Sequence, residues 1–285
     1  MSDVLYIPWN LLYISGAVAN QVPAFVNGFL GFRHQIVQKI NIKEELYLLN
    51  EFGSRSEISF SQQRDKSLNF DAASEISPGI SQTVPTSIHK PLDDYLTGIG
   101  VKFFDRTYDE FTAALQEGKF GDDILYFCCH AYHSALADQP HLVISPGTKL
   151  YPGDIRDLMA SNYFDYQPFV FINACFAGHL GESIFDAFGP AFLSRGASTT
   201  LAPAVSVPRT FAAVFAKSVL KEIFRGAIPA VHEHDYTATL SDAIGRAIRD
   251  RIQNHGELLT LLYGTLIRRA VHMPKALSVR ETKYA

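Results

Sequence analysis

The chain is poor in cysteine, has little excess charge and lacks any long apolar run. It has three cysteines in 285 residues, two of them adjacent at Cys128 and Cys129. That set cannot build an ordinary disulfide framework and points to a reducing, cytoplasmic compartment. A formal net charge of −4 provides no concentrated basic face for phosphates, which argues against nucleic acid as a direct partner. No uninterrupted apolar stretch reaches the ~20 residues that a membrane-spanning helix needs, so no membrane association is expected. The apolar start from Val4 to Leu12 follows Asp3, is broken by Pro8 and Asn10 and has no basic flank, so no signal peptide is read there. A Walker-type glycine loop and a dinucleotide fingerprint are also missing, so no cofactor is expected. No repeat of solenoid period is visible.

What is present is a globular composition, 47% apolar and 19% charged, with enough length for one large α/β domain or two small ones and no need of a disulfide or structural metal. Strand patterns are read near Phe32 to Ile42 and at Glu44 to Asn50. From Phe52 to Pro91 the residues turn to Ser, Gln, Asp and Asn with weak periodicity, which predicts a long surface loop. A short helix is expected at Pro91 to Leu96, a strand at Gly100 to Phe104, and a helix from Thr107 to Gln116 with Thr107 as N-cap and Glu110 at the capping-box position. Further helices are expected at Asp154 to Met159, about Glu182 to Ser194 (closed by Gly196), Arg209 to Phe224 and Thr237 to Gln253. A strand is expected at Ala197 to Ala202, and Gly256 to Tyr263 is apolar enough for a last strand or helix. This alternation predicts an α/β fold whose mostly parallel sheet carries helices on both faces.

Two apolar runs stand out: Ile124-Leu-Tyr-Phe-Cys-Cys-His130 and Phe169-Val-Phe-Ile-Asn-Ala-Cys175. In a parallel sheet the ligand site lies beyond the carboxyl ends of the strands, where His130 and Cys175 would both sit. Cys175 precedes a glycine on a strand-to-helix turn. Backbone N–H groups there favour a thiolate and can bind a developing oxyanion. An imidazole within reach takes the thiol proton and later returns it.

Each residue alone has a blander reading, since a free cysteine at a strand end is more often a buried structural thiol. Metal binding competes for Cys128, Cys129, His130 and His133, but neighbours on an extended strand point to opposite faces, so no metal site is assigned. His232 and His234 are read as a solvated loop. A phosphatase loop would need an Arg soon after the Cys, and His179-Leu-Gly-Glu182 has none.

Taken together, the motifs resemble the caspase-like (clan CD) cysteine peptidases, and more closely a CHAT domain, the mostly bacterial branch of that fold. The likeness is carried by Ile7-Pro-Trp-Asn-Leu-Leu12, Phe127-Cys-Cys-His-Ala131, Asp154-Ile155, Phe171-Ile-Asn-Ala-Cys-Phe-Ala-Gly178, Ala191-Phe-Leu-Ser-Arg-Gly-Ala197, Val207-Pro208 and Leu262-Tyr-Gly264. It covers most of the chain and implies a caspase-hemoglobinase fold in one domain over 1–285, with the usual N-terminal part of the family pattern absent.

The resemblance makes Cys175 the nucleophile and His130 the base and leaving-group acid, with backbone N–H groups of Cys175 and Ala131 as oxyanion hole. It places Asn173 in the S1 pocket, with Ala204, Val205 and Ser206 on another wall. A neutral amide at Asn173 gives no ion pair to a basic substrate side chain. Two positions depart from the pattern: Ala131 stands where many relatives have glycine, and Arg209 where relatives often carry an acid. The function implied is a cytoplasmic cysteine endopeptidase acting on a protein or peptide substrate in a bacterial signalling or defence pathway, with an activating partner or sensor module. The alternative is a catalytically inactive caspase-like scaffold for protein binding; a zinc-binding module comes third.

Overall fold

This computed structural model describes residues 29–34, 36, 38–39, 59–64, 90–98, 102–105, 108–117, 123–132, 140–145, 148–164, 167–175, 177, 187–225 and 240–268. In chain order the elements are α1 (Leu30–Arg33), β1 (Gln38–Lys39), β2 (Ser59–Arg64), α2 (Lys90–Gly98), β3 (Lys102–Asp105), α3 (Tyr108–Gln116), β4 (Ile124–Cys128), β5 (His130–Tyr132), β6 (His141–Ser145), β7 (Thr148–Leu150), α4 (Pro152–Leu158), β8 (Phe169–Ile172), α5 (Phe188–Ser194), β9 (Thr199–Pro203), α6 (Arg209–Arg225), α7 (Leu240–His255), a 3-10 helix at Leu258–Leu262 and β10 (Tyr263–Ile267).

Among the described residues seven strands form one sheet in the order β1-β10-β9-β8-β4-β2-β3. Only the β9–β10 pair is antiparallel; the other neighbours are parallel. Alternation of side chains along the strands splits the core in two. Ile124, Tyr126, Cys128, Phe169 and Phe171 face one side, where Leu96 of α2, Phe215 and Val219 of α6 and Ile244 of α7 cover them. Leu125, Phe127, Cys129, Val170 and Ile172 face the other, under Phe111 of α3, Ile155 of α4 and Phe192 of α5. Each large side chain so buried contributes about 1.5–3 kcal/mol. The expected α/β architecture, a mostly parallel sheet between two helical layers, is therefore the one observed.

Several local expectations are corrected. The stretch read as a loop from Phe52 to Pro91 contains β2, an interior strand paired with both β3 and β4. Its Ser-Phe-Ser-Gln-Gln-Arg sequence is weakly apolar, but backbone ladders on both sides outweigh side-chain propensity. The run ending at His130 stops earlier: β4 closes at Cys128, the chain bends at Cys129, and His130 opens β5 in a separate antiparallel sheet, β5-β6-β7. Strands β6 and β7 had no strand reading in the sequence.

Helix α4 starts at Pro152 rather than Asp154, because Pro suits the first helical position, and the Tyr151 N–H donates to the Asp154 carboxylate at 2.8 Å. Near the end, Leu258–Leu262 is a 3-10 helix and the strand begins at Tyr263. Among the described residues of Phe32 to Ile42 the strand is Gln38–Lys39, preceded by the turn of α1. The strand expected at Glu44 to Asn50, the Thr107 cap and the start of the helix expected from Glu182 lie outside the described residues.

Candidate active site

Strands β4 and β8 run in parallel register from Ile124↔Phe169 to Phe127↔Ile172. The Asn173 N–H donates to the Phe127 carbonyl at 2.8 Å, carrying the ladder one step further. His130 lies three positions beyond Phe127, and Cys175 three beyond its partner Ile172. Both therefore leave the sheet from adjacent strands at its carboxyl edge, where ligands bind in such sheets. Cys175 sits in a tight turn in which the Ala177 N–H donates to the Ala174 carbonyl at 3.2 Å. Its side chain and that of His130 are half-buried.

The approach to α6 touches Cys175, and the first residue of that helix touches His130. The Ser206 hydroxyl donates to Sγ of Cys175 at 3.4 Å, and the thiol donates to the Val207 carbonyl at 3.7 Å. Arg209, the first residue of α6, places Nη2 3.4 Å from Nε2 of His130. A guanidinium can only donate, so Nε2 accepts and the proton of a neutral ring is assigned to Nδ1. Of the expected 204–206 wall, Ser206 is exposed at the sulfur. Val205 packs against the α6-side core, and the Ala204 N–H donates to the Leu262 carbonyl at 2.9 Å.

Asn173 does not sit as an S1 wall should. It is only 4% exposed, and its carboxamide is spent inside the core. Nδ2 donates to the Tyr126 hydroxyl at 3.1 Å and to the Ala212 carbonyl at 2.8 Å, while Oδ1 accepts from the Tyr263 hydroxyl at 2.7 Å. Burial, with smaller contributions from Cys128 and Cys175, raises the Tyr263 pKa well above its ordinary value, so the phenol remains a donor. A buried amide must be hydrogen-bonded, and these partners take both of its N–H donors and hold its oxygen inside the core.

For the proposed oxyanion hole, Ala131 lies in β5 opposite Leu142. The Cys175 N–H has no backbone acceptor among the described residues. Cys128 and Cys129 are buried in the two different cores, on opposite sides of the sheet, and so cannot share one metal ion. Among the described residues no three His, Cys, Asp or Glu side chains gather as a metal site; His133, His232 and His234 lie outside them. Beside the site an aromatic row runs outward: the exposed Tyr132 stacks on His141 at 5.4 Å, and His141 meets Tyr151 at 5.4 Å.

Sequence reasoning missed the tyrosine pair, and it named Val207 and Arg209 without the contacts they make. Each tyrosine left a trace, as a tyrosine in an apolar run whose hydroxyl needs a partner if buried.

No protein-family model matches the chain, and no curated protein does. Solved structures that resemble it include the complex of the pro- and mature domains of Porphyromonas gingivalis RgpB, at 12% identity and a TM-score of 0.47, covering 74% of this chain and 47% of that one. The Arg-specific cysteine proteinase gingipain R (RGPB) matches at 12% identity and a TM-score of 0.49, covering 77% and 48%. A structure described only as a protease matches at 15% identity and a TM-score of 0.37, covering 62% and 40%. The chain spans less than half the length of each of these.

Proposed function

We propose that this chain is a cysteine endopeptidase of the caspase-like kind, working through Cys175 and His130. The observation that carries the reading is the register: the two reactive residues stand at equal distances beyond paired positions of neighbouring strands, and one segment, 206–209, touches both. In the reaction the Cys175 sulfur attacks a peptide carbonyl carbon and its proton passes to His130. The tetrahedral oxyanion faces the Cys175 and Ala131 N–H groups. As the C–N bond breaks, His130 gives its proton to the departing amine. Water, deprotonated by His130, then attacks the thioester and releases the acid, and the proton returns to sulfur.

The substrate class is a protein or peptide chain, and activation involves a partner or sensor module, since in the resting contacts Arg209 occupies the ring nitrogen that would take the proton. The same contacts favour the second reading, a binding module that keeps the fold without turnover. Incubation with a peptide library separates the two: cleavage that disappears in Cys175→Ala supports the enzyme, and equal cleavage by both proteins sinks it.

A further inference from the structure

We infer that Asn173 is a positioning residue for Cys175: its buried carboxamide ties the strand end that presents the sulfur to the first turn of α6, the helix whose approach carries Ser206, Val207 and Arg209. The inference rests on the Cys175–His130 reading above and adds to it a residue that touches no substrate.

The carboxamide meets three separate elements. Tyr126 belongs to β4, the strand leading to His130; Tyr263 belongs to β10; Ala212 belongs to α6. Both N–H donors and the oxygen are used, which fixes the orientation of the amide. Two residues downstream is Cys175, and three residues upstream of Ala212 is Arg209, so one side chain sets the distance between the nucleophile's turn and the segment holding both reactive groups. That segment has a second tie of its own, the Ala212 N–H donating to the Pro208 carbonyl at 2.9 Å.

A leucine would copy the heavy-atom branching, at a somewhat larger volume, without needing partners. A fully satisfied polar network in a low-dielectric core instead specifies one arrangement. Small displacements matter at such a site, since a shift of about 1 Å far from the chemistry can cost roughly a hundredfold in rate.

The test compares two variants of the full chain. Tyr126→Phe with Tyr263→Phe removes both hydroxyls but keeps the Asn173 link to Ala212. Adding Asn173→Leu removes the link while leaving apolar groups of similar shape, a replacement that can be nearly neutral for stability. The measurement is the rate of Cys175 alkylation by iodoacetamide as a function of pH, at a temperature where melting curves show each protein folded.

The double variant should stay within about threefold of the parent, and the triple should fall at least about tenfold with an altered pH profile. Equal rates and profiles in double and triple would overturn the inference, as would equal losses in both. If the triple does not fold, Asn173→Met in the same double background takes its place: it is apolar and unbranched, has no donor for Ala212, and the same loss is expected. His130→Ala, run alongside, separates the two claims. An unchanged profile there contradicts the dyad and this inference with it; a changed profile there beside an unchanged triple contradicts the role of Asn173 alone.

Discussion

The guanidinium of Arg209 rests 3.4 Å from Nε2 of His130, so the lone pair a general base would use is already engaged. Freeing it should make Cys175 more reactive, not less. A hydrogen bond to a charged group is worth about 1.5 kcal/mol at the low end, equivalent to roughly tenfold. Arg209→Ala is therefore expected to speed Cys175 alkylation by several-fold to about tenfold, and the gain should vanish when His130→Ala is added. An unchanged or slower rate in Arg209→Ala would show that the contact does not hold the base.

Alkaline stability reports on the phenols. Burial first, then the charge of Glu222, pushes the pKa of Tyr95 from 10.0 up to about 12. Between those values the unfolded chain releases a proton that the folded chain keeps. Stability should therefore be unaffected by this group below pH 10, and fall as pH rises from 10 toward about 12. Tyr263, also raised, acts in the same direction. Urea unfolding across this window should show a shallower decline for Tyr95→Phe than for the parent; parallel declines would contradict the shift.

Gly196 closes α5 at φ +102°, a backbone region that side chains avoid. The Ala197 N–H donates to the Phe192 carbonyl at 3.1 Å and the Gly196 N–H to Leu193 at 3.2 Å, the reciprocal pair of a Schellman cap. Gly196→Ala should lower stability by about 1–2 kcal/mol through strain alone. Gly189, inside the same helix, fails differently: an added Cβ would lie 2.7 Å from Cδ1 of Leu266. Gly189→Ala gains up to about 1 kcal/mol of helix propensity and loses about 1–3 to overpacking, so a small net destabilisation is expected. Chemical denaturation of both variants checks the pair, and a stabilised Gly196→Ala would contradict the cap.

The strongly apolar strands, the parallel architecture and the Gly196 cap were legible in the sequence because each is written in neighbouring residues: β4 and β8 as unbroken apolar runs, the cap as a glycine after a helical pattern. Strand β2 was not, since Ser-Phe-Ser-Gln-Gln-Arg owes its conformation to ladders with β3 and β4, which are remote in sequence. The bend at Cys129 was hidden for the same reason, because an apolar run does not mark where its partners end. Cys175 and His130 were legible as the residues that follow the apolar strands β8 and β4. The inward turn of Asn173 was not, because it depends on two tyrosine hydroxyls and a helix carbonyl brought from distant parts of the chain.

The most direct test of the dyad is labelling of the intact chain with a thiol-reactive peptide electrophile, read by mass spectrometry at Cys175. Modification of Cys175 that drops sharply in His130→Ala is the predicted result; labelling at the same rate with or without His130 would contradict the account.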